Sequence, residues 1–135
     1  MRDAQQILAE ANVIAVVGAS RDPFKSAHTV PRQMLRHGWR IIPVNPFADE
    51  VFGVPAVATL ADIGEPIDLV NVFRPARDAV DVVRQAIEIK APAVWLQSGI
   101  FSTEARRLAE EADIDYIEDR CLAVERAAGN LSRLP

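Results

Sequence analysis

A short apolar segment near the amino terminus limits the folds open to this chain. Residues 13–17 are all apolar and mostly β-branched, and Gly18 follows them directly. A strand with one face exposed to solvent alternates apolar and polar residues, whereas a strand covered on both faces is apolar throughout. The segment therefore predicts a parallel strand buried between two layers of helices.

Further strands and helices alternate along the rest of the chain. Apolar runs predict strands at 40–44, 68–73, 93–96 and 115–117, and helical spacing predicts helices at 29–37, from Pro75 to about Lys90, at 103–112 and at 122–128. A turn-rich connector at 50–55 leads to a small helix near 59–63, and the last residues are predicted to be a loose tail. This βαβαβ order predicts an α/β fold: a single Rossmann-like, doubly wound parallel sheet of about five strands with helices on both faces. The ligand of such a fold lies at the carboxyl ends of the strands, where strand order reverses, and the common arrangement puts this point between the first and fourth strands.

Size and composition agree with one domain spanning residues 1–135. Half of the residues are hydrophobic and a quarter are charged, as in folded globular chains. No apolar stretch approaches the roughly 20 residues of a membrane span. The first eleven residues include Arg2, Asp3 and Glu10 instead of the apolar core of a signal peptide, and Cys121 is the single cysteine. We therefore expect a cytoplasmic protein without a disulfide, a zinc site or a membrane partner.

The distribution of charge is uneven. A net charge of −4 argues against a nucleic-acid partner, because nucleic-acid-binding surfaces are usually strongly basic. No acidic residue lies between Asp22 and Asp49, and the same segment holds four cations, which are Lys25, Arg32, Arg36 and Arg40. This local excess predicts room for an anionic group, although Arg32 and Arg36 also suit the solvated face of a helix.

The first strand end has the features of a phosphate loop. Gly18-Ala19-Ser20 follows the strand, where a backbone that turns tightly lets a phosphate approach, although the G-x-G-x-x-G pattern is absent. Ser20 offers a hydroxyl and Lys25 a cation. Replacing Gly18 by Val is expected to abolish ligand binding in a domain that still folds.

The second strand end bears on the kind of nucleotide. A NAD site usually has an Asp or Glu there for the ribose hydroxyls, whereas this chain has Asn45-Pro46. A ribose that carries its own phosphate suits this cationic neighbourhood better than the neutral diol of NAD. NADP and coenzyme A both fit.

The residues do not form a recognisable catalytic set. His28 is expected in the loop after the first strand, and His37 at a helix carboxyl end, where its charge suits the helix dipole. Cys121 is expected to be a small buried apolar residue, although the adjacent Arg120 favours a reactive thiolate if both face solvent. Trp39 and Trp95 are expected in the core or at an interface.

Five segments in order resemble one known family. They are Val17-Gly18-Ala19-Ser20, Ile42-Pro43-Val44-Asn45-Pro46, Val72-Phe73-Arg74-Pro75, Val94-Trp95-Leu96-Gln97-Ser98-Gly99 and Asp119-Arg120-Cys121. Together they look like the motif set of the small bacterial CoA-binding proteins, which are similar to the amino-terminal CoA-binding domain of the succinyl-CoA synthetase alpha subunit. The resemblance covers about residues 10–127.

The resemblance implies a ligand and a site. The loop Gly18-Ala19-Ser20 would hold the CoA phosphates, Asn45-Pro46 and Phe73-Arg74-Pro75 would border the nucleoside, and Gln97-Ser98-Gly99 would line the path of the pantetheine arm. The synthetase subunit has a further glycine in its phosphate loop and a lysine after its second strand, where this chain has Asp22-Pro23 and Phe47-Ala48-Asp49. We therefore expect Lys25 or Arg74 to contact the 3′-phosphate. The domain that carries the phosphohistidine of the synthetase has no counterpart in these residues.

The sequence thus predicts non-catalytic binding of coenzyme A or an acyl-CoA, and not an enzyme. Two alternatives stay open: an NADP-dependent oxidoreductase or nucleotide-responsive regulator, and the CoA-binding subunit of a multi-chain acyl-CoA synthetase. Accordingly, either a homodimer or a complex with a catalytic partner chain is compatible with the sequence.

Overall fold

A five-stranded parallel sheet forms the centre of the protein. The computed structural model describes all residues, 1–135, and its strands are β1 (Val13–Val17), β2 (Arg40–Val44), β3 (Glu50–Val51), β4 (Val54–Pro55), β5 (Leu69–Val72), β6 (Ala93–Leu96) and β7 (Asp115–Ile117). The sheet has the order β2-β1-β5-β6-β7, and β3 and β4 pair separately as an antiparallel hairpin within the connector at 50–55. The predicted α/β fold with about five parallel strands is confirmed.

The neighbours of β1 differ from the prediction. β1 pairs with β2 on one side and with β5, the third strand of the sheet, on the other, so the expected pairing of the first and fourth strands is wrong. The chain moves outward from β1 to β2, returns to β5, and then moves outward the opposite way through β6 to β7. Strand order therefore reverses between β1 and β5. Apolar patterns locate buried strands, but they do not specify which strands become neighbours.

Helices cover both faces of the sheet. They are α1 (Ala4–Glu10), α2 (Ser26–Arg36), α3 (Ala76–Glu88), α4 (Thr103–Glu111) and α5 (Leu122–Ala128), with a 3₁₀ turn at Leu60–Asp62. One core cluster contains buried residues of α1, α2 and α5, and the other contains those of α3 and α4. This separation follows from right-handed crossovers that leave the switch point in opposite directions. None of these helices is both long and apolar enough to cross a membrane.

The second helix starts earlier than its sequence suggests. It begins at Ser26 instead of residue 29, so Pro31 is its sixth residue and lies beyond the first turn. Proline has no N–H to donate to the carbonyl four residues before it, here that of Ala27. The Ala27 oxygen accepts a hydrogen bond from the Ser20 N–H instead, at 3.1 Å. The helix therefore tolerates Pro31 because the adjacent loop supplies the missing donor.

Both tryptophans lie in the core, as expected. Trp39 and Trp95 are about 1% exposed or less, and the Trp95 Nε1–H donates to the Arg120 carbonyl at 2.8 Å.

The single proline of the five-stranded sheet lies at its edge. Pro43 lies in β2, which pairs only with β1 inside that sheet. A proline that cannot donate to a ladder suits such an edge strand.

The carboxyl-terminal residues are bound and do not form the expected loose tail. The Arg133 N–H donates to the His37 carbonyl at 2.8 Å, and the Arg133 guanidinium donates to the Glu10 carbonyl and to the Asn12 side chain. His37 is the C-cap residue directly after α2, at the helix carboxyl end that its position predicted. The tail was mispredicted because its bonds reach residues about 95 to 120 positions away.

Candidate functional site

The carboxyl ends of three adjacent strands enclose the main cavity, of about 600 Å³. β1, β2 and β5 end side by side there, at the point where strand order reverses, which is where open α/β sheets bind ligands. Eight of the residues predicted for the site line this cavity: Gly18, Ala19, Ser20, Lys25, Asn45, Pro46, Phe73 and Arg74. The tertiary structure thus brings together residues from three separate segments.

Ser20 is held by the first turns of α2. Its N–H donates to the Ala27 carbonyl at 3.1 Å, and its carbonyl accepts from His28 Nδ1 at 2.7 Å. His28 therefore carries its proton on Nδ1. The Ser20 hydroxyl oxygen accepts from the Asp22 N–H at 3.1 Å, which leaves its O–H proton available to a ligand.

His28 was expected in a loop, but it lies in α2 and is 7% exposed. Its ring packs edge-to-face against the Phe52 ring of the β3–β4 hairpin, with centroids 5.3 Å apart. The loop prediction for His28 and the predicted start of α2 were wrong for the same reason, because Pro31 is accommodated within the helix. His28 thereby connects the Gly18–Ser20 loop to the hairpin.

Gly18 is required by the protein's own backbone. Its φ is +90°, and a Cβ there would lie 3.0 Å from the Phe73 carbonyl oxygen and 3.2 Å from Arg74 Cδ. The loop therefore passes directly over the end of β5. Valine at this position would meet the Phe73 backbone, just beyond β5, before it met a ligand, so a loss of stability is expected together with the predicted loss of binding.

Asn45 joins two of the strand ends. Its Nδ2 donates to the Ala19 carbonyl at 2.9 Å, and its Oδ1 accepts from the Phe47 N–H at 2.8 Å. Both polar ends of the side chain are thus used within the protein. Asn45 acts as a spacer between the loops after β1 and β2, and it fixes the turn that presents Pro46 and Phe47.

The charged groups of the cavity differ in how they are paired. Arg74 makes an ion pair with Asp78 at 3.2 Å, and Gln85 donates to Asp81 at 2.9 Å. Lys25 lies in the lining, is exposed and has no ion-pair partner. Of the two cations considered for a ligand phosphate, Lys25 is therefore the one whose charge is uncompensated.

The remaining cations of the basic segment lie elsewhere. Arg32 and Arg36 are on α2 outside the cavity lining. Arg40 forms two hydrogen bonds of 2.6 Å to Glu65, and these bonds lower the pKa of the Glu65 carboxyl below its ordinary value. Arg40 is thus neutralised by an acid that follows it 25 residues later, which a count along the sequence cannot show.

Four predicted site residues lie outside the cavity lining. Pro75 is exposed and caps the start of α3. The Gln97 side chain is buried, and its Oε1 accepts from the Leu122 N–H of α5 at 3.5 Å. Ser98 is exposed. The Gly99 N–H donates to Asp119 Oδ1 at 2.7 Å. The segment Gln97-Ser98-Gly99 follows β6, one strand beyond the cavity. Cys121 precedes α5 and is half-buried, where full burial was expected.

Several lining residues were missed from the sequence. The wall from α3 contributes Asp78, Asp81, Val82 and Gln85, and the wall after the hairpin contributes Ala58 and Thr59. Helical spacing indicated which residues of α3 face the core, but it did not indicate which residues of α3 line the cavity. Phe47 was noted only as a departure from the resembled family, although an exposed aromatic residue right after a strand end was a usable signal.

Comparisons with known proteins identify the family of this chain. Residues 12–127 match the family described as "CoA binding domain". The uncharacterized protein YneT of Bacillus subtilis (strain 168) is 40% identical over 125 residues, which cover 93% of this chain and 93% of YneT. The solved structure of cell-free ID.343 from Thermus thermophilus has a TM-score of 0.89 and 41% identity, and the match covers 95% of this chain and 99% of that one.

A longer relative has a named activity. The ADP-forming acetate–CoA ligase of Methanocaldococcus jannaschii is 24% identical over 127 residues, which cover 88% of this chain but 18% of the ligase. This chain thus corresponds to a small part of that enzyme. The matched residues include all three strand ends around the cavity, and the chain belongs to the CoA binding domain family.

Proposed function

We propose that this protein binds coenzyme A or an acyl-CoA reversibly, in the cavity at the carboxyl ends of β1, β2 and β5, and does not change it chemically. The observation that carries the proposal is the Ser20 hydroxyl, held after β1 by the bonds of Ser20 to α2, in the same cavity as the unpaired cation of Lys25. The Gly18 and Ser20 N–H groups already donate to the Val44 and Ala27 carbonyls, so the Ser20 hydroxyl, the start of α2 and the Lys25 cation are the groups that suit the phosphates of the ligand. Family membership supports coenzyme A as the ligand.

The charged side chains of the lining suit binding better than bond chemistry. Arg74 and Asp78 neutralise each other, and Asp81 accepts a hydrogen bond from Gln85. The second candidate is a CoA-binding subunit whose partner chain supplies catalysis, which the match to part of an acetate–CoA ligase favours.

Titration calorimetry of the purified protein tests the proposal. We expect coenzyme A to bind more tightly than NADP, and NADP more tightly than NAD, because the cavity has no acidic partner at Asn45 for a free ribose diol. Acetyl-CoA incubated with the protein is expected to be recovered intact by chromatography. Tighter binding of NADP, or turnover of acetyl-CoA by the protein alone, would contradict the proposal; co-purification with a second chain would favour the subunit role.

Lys25 is expected to recognise the 3′-phosphate of coenzyme A. A charge-assisted contact contributes roughly 1.5 to 3 kcal/mol, so coenzyme A should bind about tenfold or more tightly than dephospho-CoA. In Lys25→Ala this preference should disappear. Arg36→Ala is the matched control, because Arg36 is an exposed cation on α2 that lies outside the cavity. Equal affinities for the two ligands in the unaltered protein would show that no cation of the site recognises the 3′-phosphate.

A further inference from the structure

Two phenylalanines occupy matching turns on the surface. Asp22-Pro23-Phe24 and Asn45-Pro46-Phe47 share the pattern of an acid or amide, a proline and a phenylalanine. In each turn the first side chain accepts a hydrogen bond from the phenylalanine N–H, at 3.0 Å for Phe24 and 2.8 Å for Phe47. The rings are 95% and 85% exposed, respectively. Both turns therefore hold the backbone rigid and present an aromatic ring to solvent.

Only one of these rings belongs to the cavity. Phe47 lines it and Phe24 does not. Val44 and Val82 supply buried apolar surface to the same cavity, and Gln85 and Asp81 supply hydrogen-bond acceptors. The cavity thus offers a flat group with an amine at its edge an aromatic ring, apolar surface and acceptors for its N–H groups.

The charges orient a ligand within the cavity. The wall from β1 and α2 carries the Ser20 hydroxyl and the Lys25 cation, which attract phosphate. The wall from α3 carries Asp81, which has no cationic partner and repels phosphate, whereas Arg74 offsets the charge of Asp78. The phosphates of coenzyme A are attached to the ribose, so its adenine is expected to lie on the side of the ribose away from Ser20 and Lys25, among the other lining residues, which include Phe47.

We propose that Phe47 is the stacking platform for the purine base of the ligand and thereby selects ligands that carry a nucleoside. This inference rests on the proposed binding of coenzyme A. The high exposure of the Phe47 ring is compatible with this role, because the base covers the ring and removes it from water when the ligand binds. The rigid Asn45 turn reduces the loss of conformational freedom that such a contact costs.

The test compares Phe47→Ala with Phe24→Ala by titration calorimetry. The ligands are coenzyme A, adenosine 3′,5′-bisphosphate, which has the base but no pantetheine arm, and 4′-phosphopantetheine, which has the arm but no base. Phe47→Ala is expected to weaken binding of the first two by roughly tenfold and to leave the affinity for the third unchanged. Phe24→Ala should change none of them. Both rings are on the surface, so circular dichroism should show that both variants fold.

A second pair of variants separates stacking from simple apolar contact. Phe47→Trp should keep the affinity for coenzyme A, whereas Phe47→Leu should lose about as much as Phe47→Ala, since leucine has no flat π face. Full affinity in Phe47→Leu, equal losses in Phe47→Ala and Phe24→Ala, or a loss confined to 4′-phosphopantetheine would each overturn the stacking role. If the unaltered protein binds coenzyme A and Phe47→Ala binds it equally well, only this inference fails. If the unaltered protein does not bind coenzyme A, the proposed function fails and the inference with it.

Discussion

Gly18→Val is expected to lower the free energy of unfolding by about 2 to 6 kcal/mol and to abolish ligand binding. Roughly 1 to 3 kcal/mol comes from forcing a β-branched residue to a φ of +90°, and a similar amount comes from overpacking. The overpacking arises because the new Cβ would lie 3.0 Å from the Phe73 carbonyl oxygen. Urea unfolding measures the stability, and calorimetry measures the binding.

Gly99→Val is the matched control for backbone strain. Gly99 has a φ of +82°, but a Cβ there would meet nothing within 4 Å. The control should therefore lose only the conformational part of the stability, and the difference between the two variants measures the contact over β5. Equal losses would contradict a tight approach of the loop to Phe73. A Gly18→Val protein of full stability that binds coenzyme A normally would place the phosphate loop elsewhere.

Trp95→Ala is expected to destabilise the protein by about 3 to 5 kcal/mol, because it empties a fully buried position in β6. The loss includes the hydrogen bond from Trp95 Nε1 to the Arg120 carbonyl, which ties the segment before α5 to the sheet. Urea unfolding followed by circular dichroism measures the change.

Comparing Trp95→Phe with Trp39→Phe separates the hydrogen bond from the volume. Both tryptophans are buried, but the Trp39 Nε1 has no partner, so its removal leaves nothing unpaired. Trp95→Phe leaves the Arg120 carbonyl without its donor and should cost roughly 1 to 3 kcal/mol more. If the two variants lose equal stability, the hydrogen bond of Trp95 contributes nothing.

Element positions in this protein could be predicted where the signal was local. β1, β2, β6 and β7 have the bounds that their apolar runs indicated, and Ser102 caps α4 through the Ala105 N–H. The helix α1 was missed, although Asp3 and Gln6 form a capping box at its start. The start of α2 was misplaced because the donor that satisfies the Ala27 carbonyl comes from Ser20, outside the helix.

The candidate site was predictable only in part. Residues directly after β1, β2 and β5 could be selected because parallel strands end at one edge of the sheet. The segment Gln97-Ser98-Gly99 was selected by the same rule, but it follows a strand outside the cavity wall. The rule identifies an edge of the sheet, and the order of strands then decides which part of that edge becomes a cavity.

The sequence by itself determined the alternation of buried strands and amphipathic helices, because burial on two faces or on one face leaves a periodic record in neighbouring residues. Only the tertiary structure decided that β5 lies beside β1, that Arg40 is neutralised by Glu65 while Lys25 stays unpaired, and that α3 contributes a wall to the cavity. These features depend on contacts between residues far apart in the chain. Such contacts are set by the packing of whole elements, and that packing leaves no local pattern from which they could have been predicted.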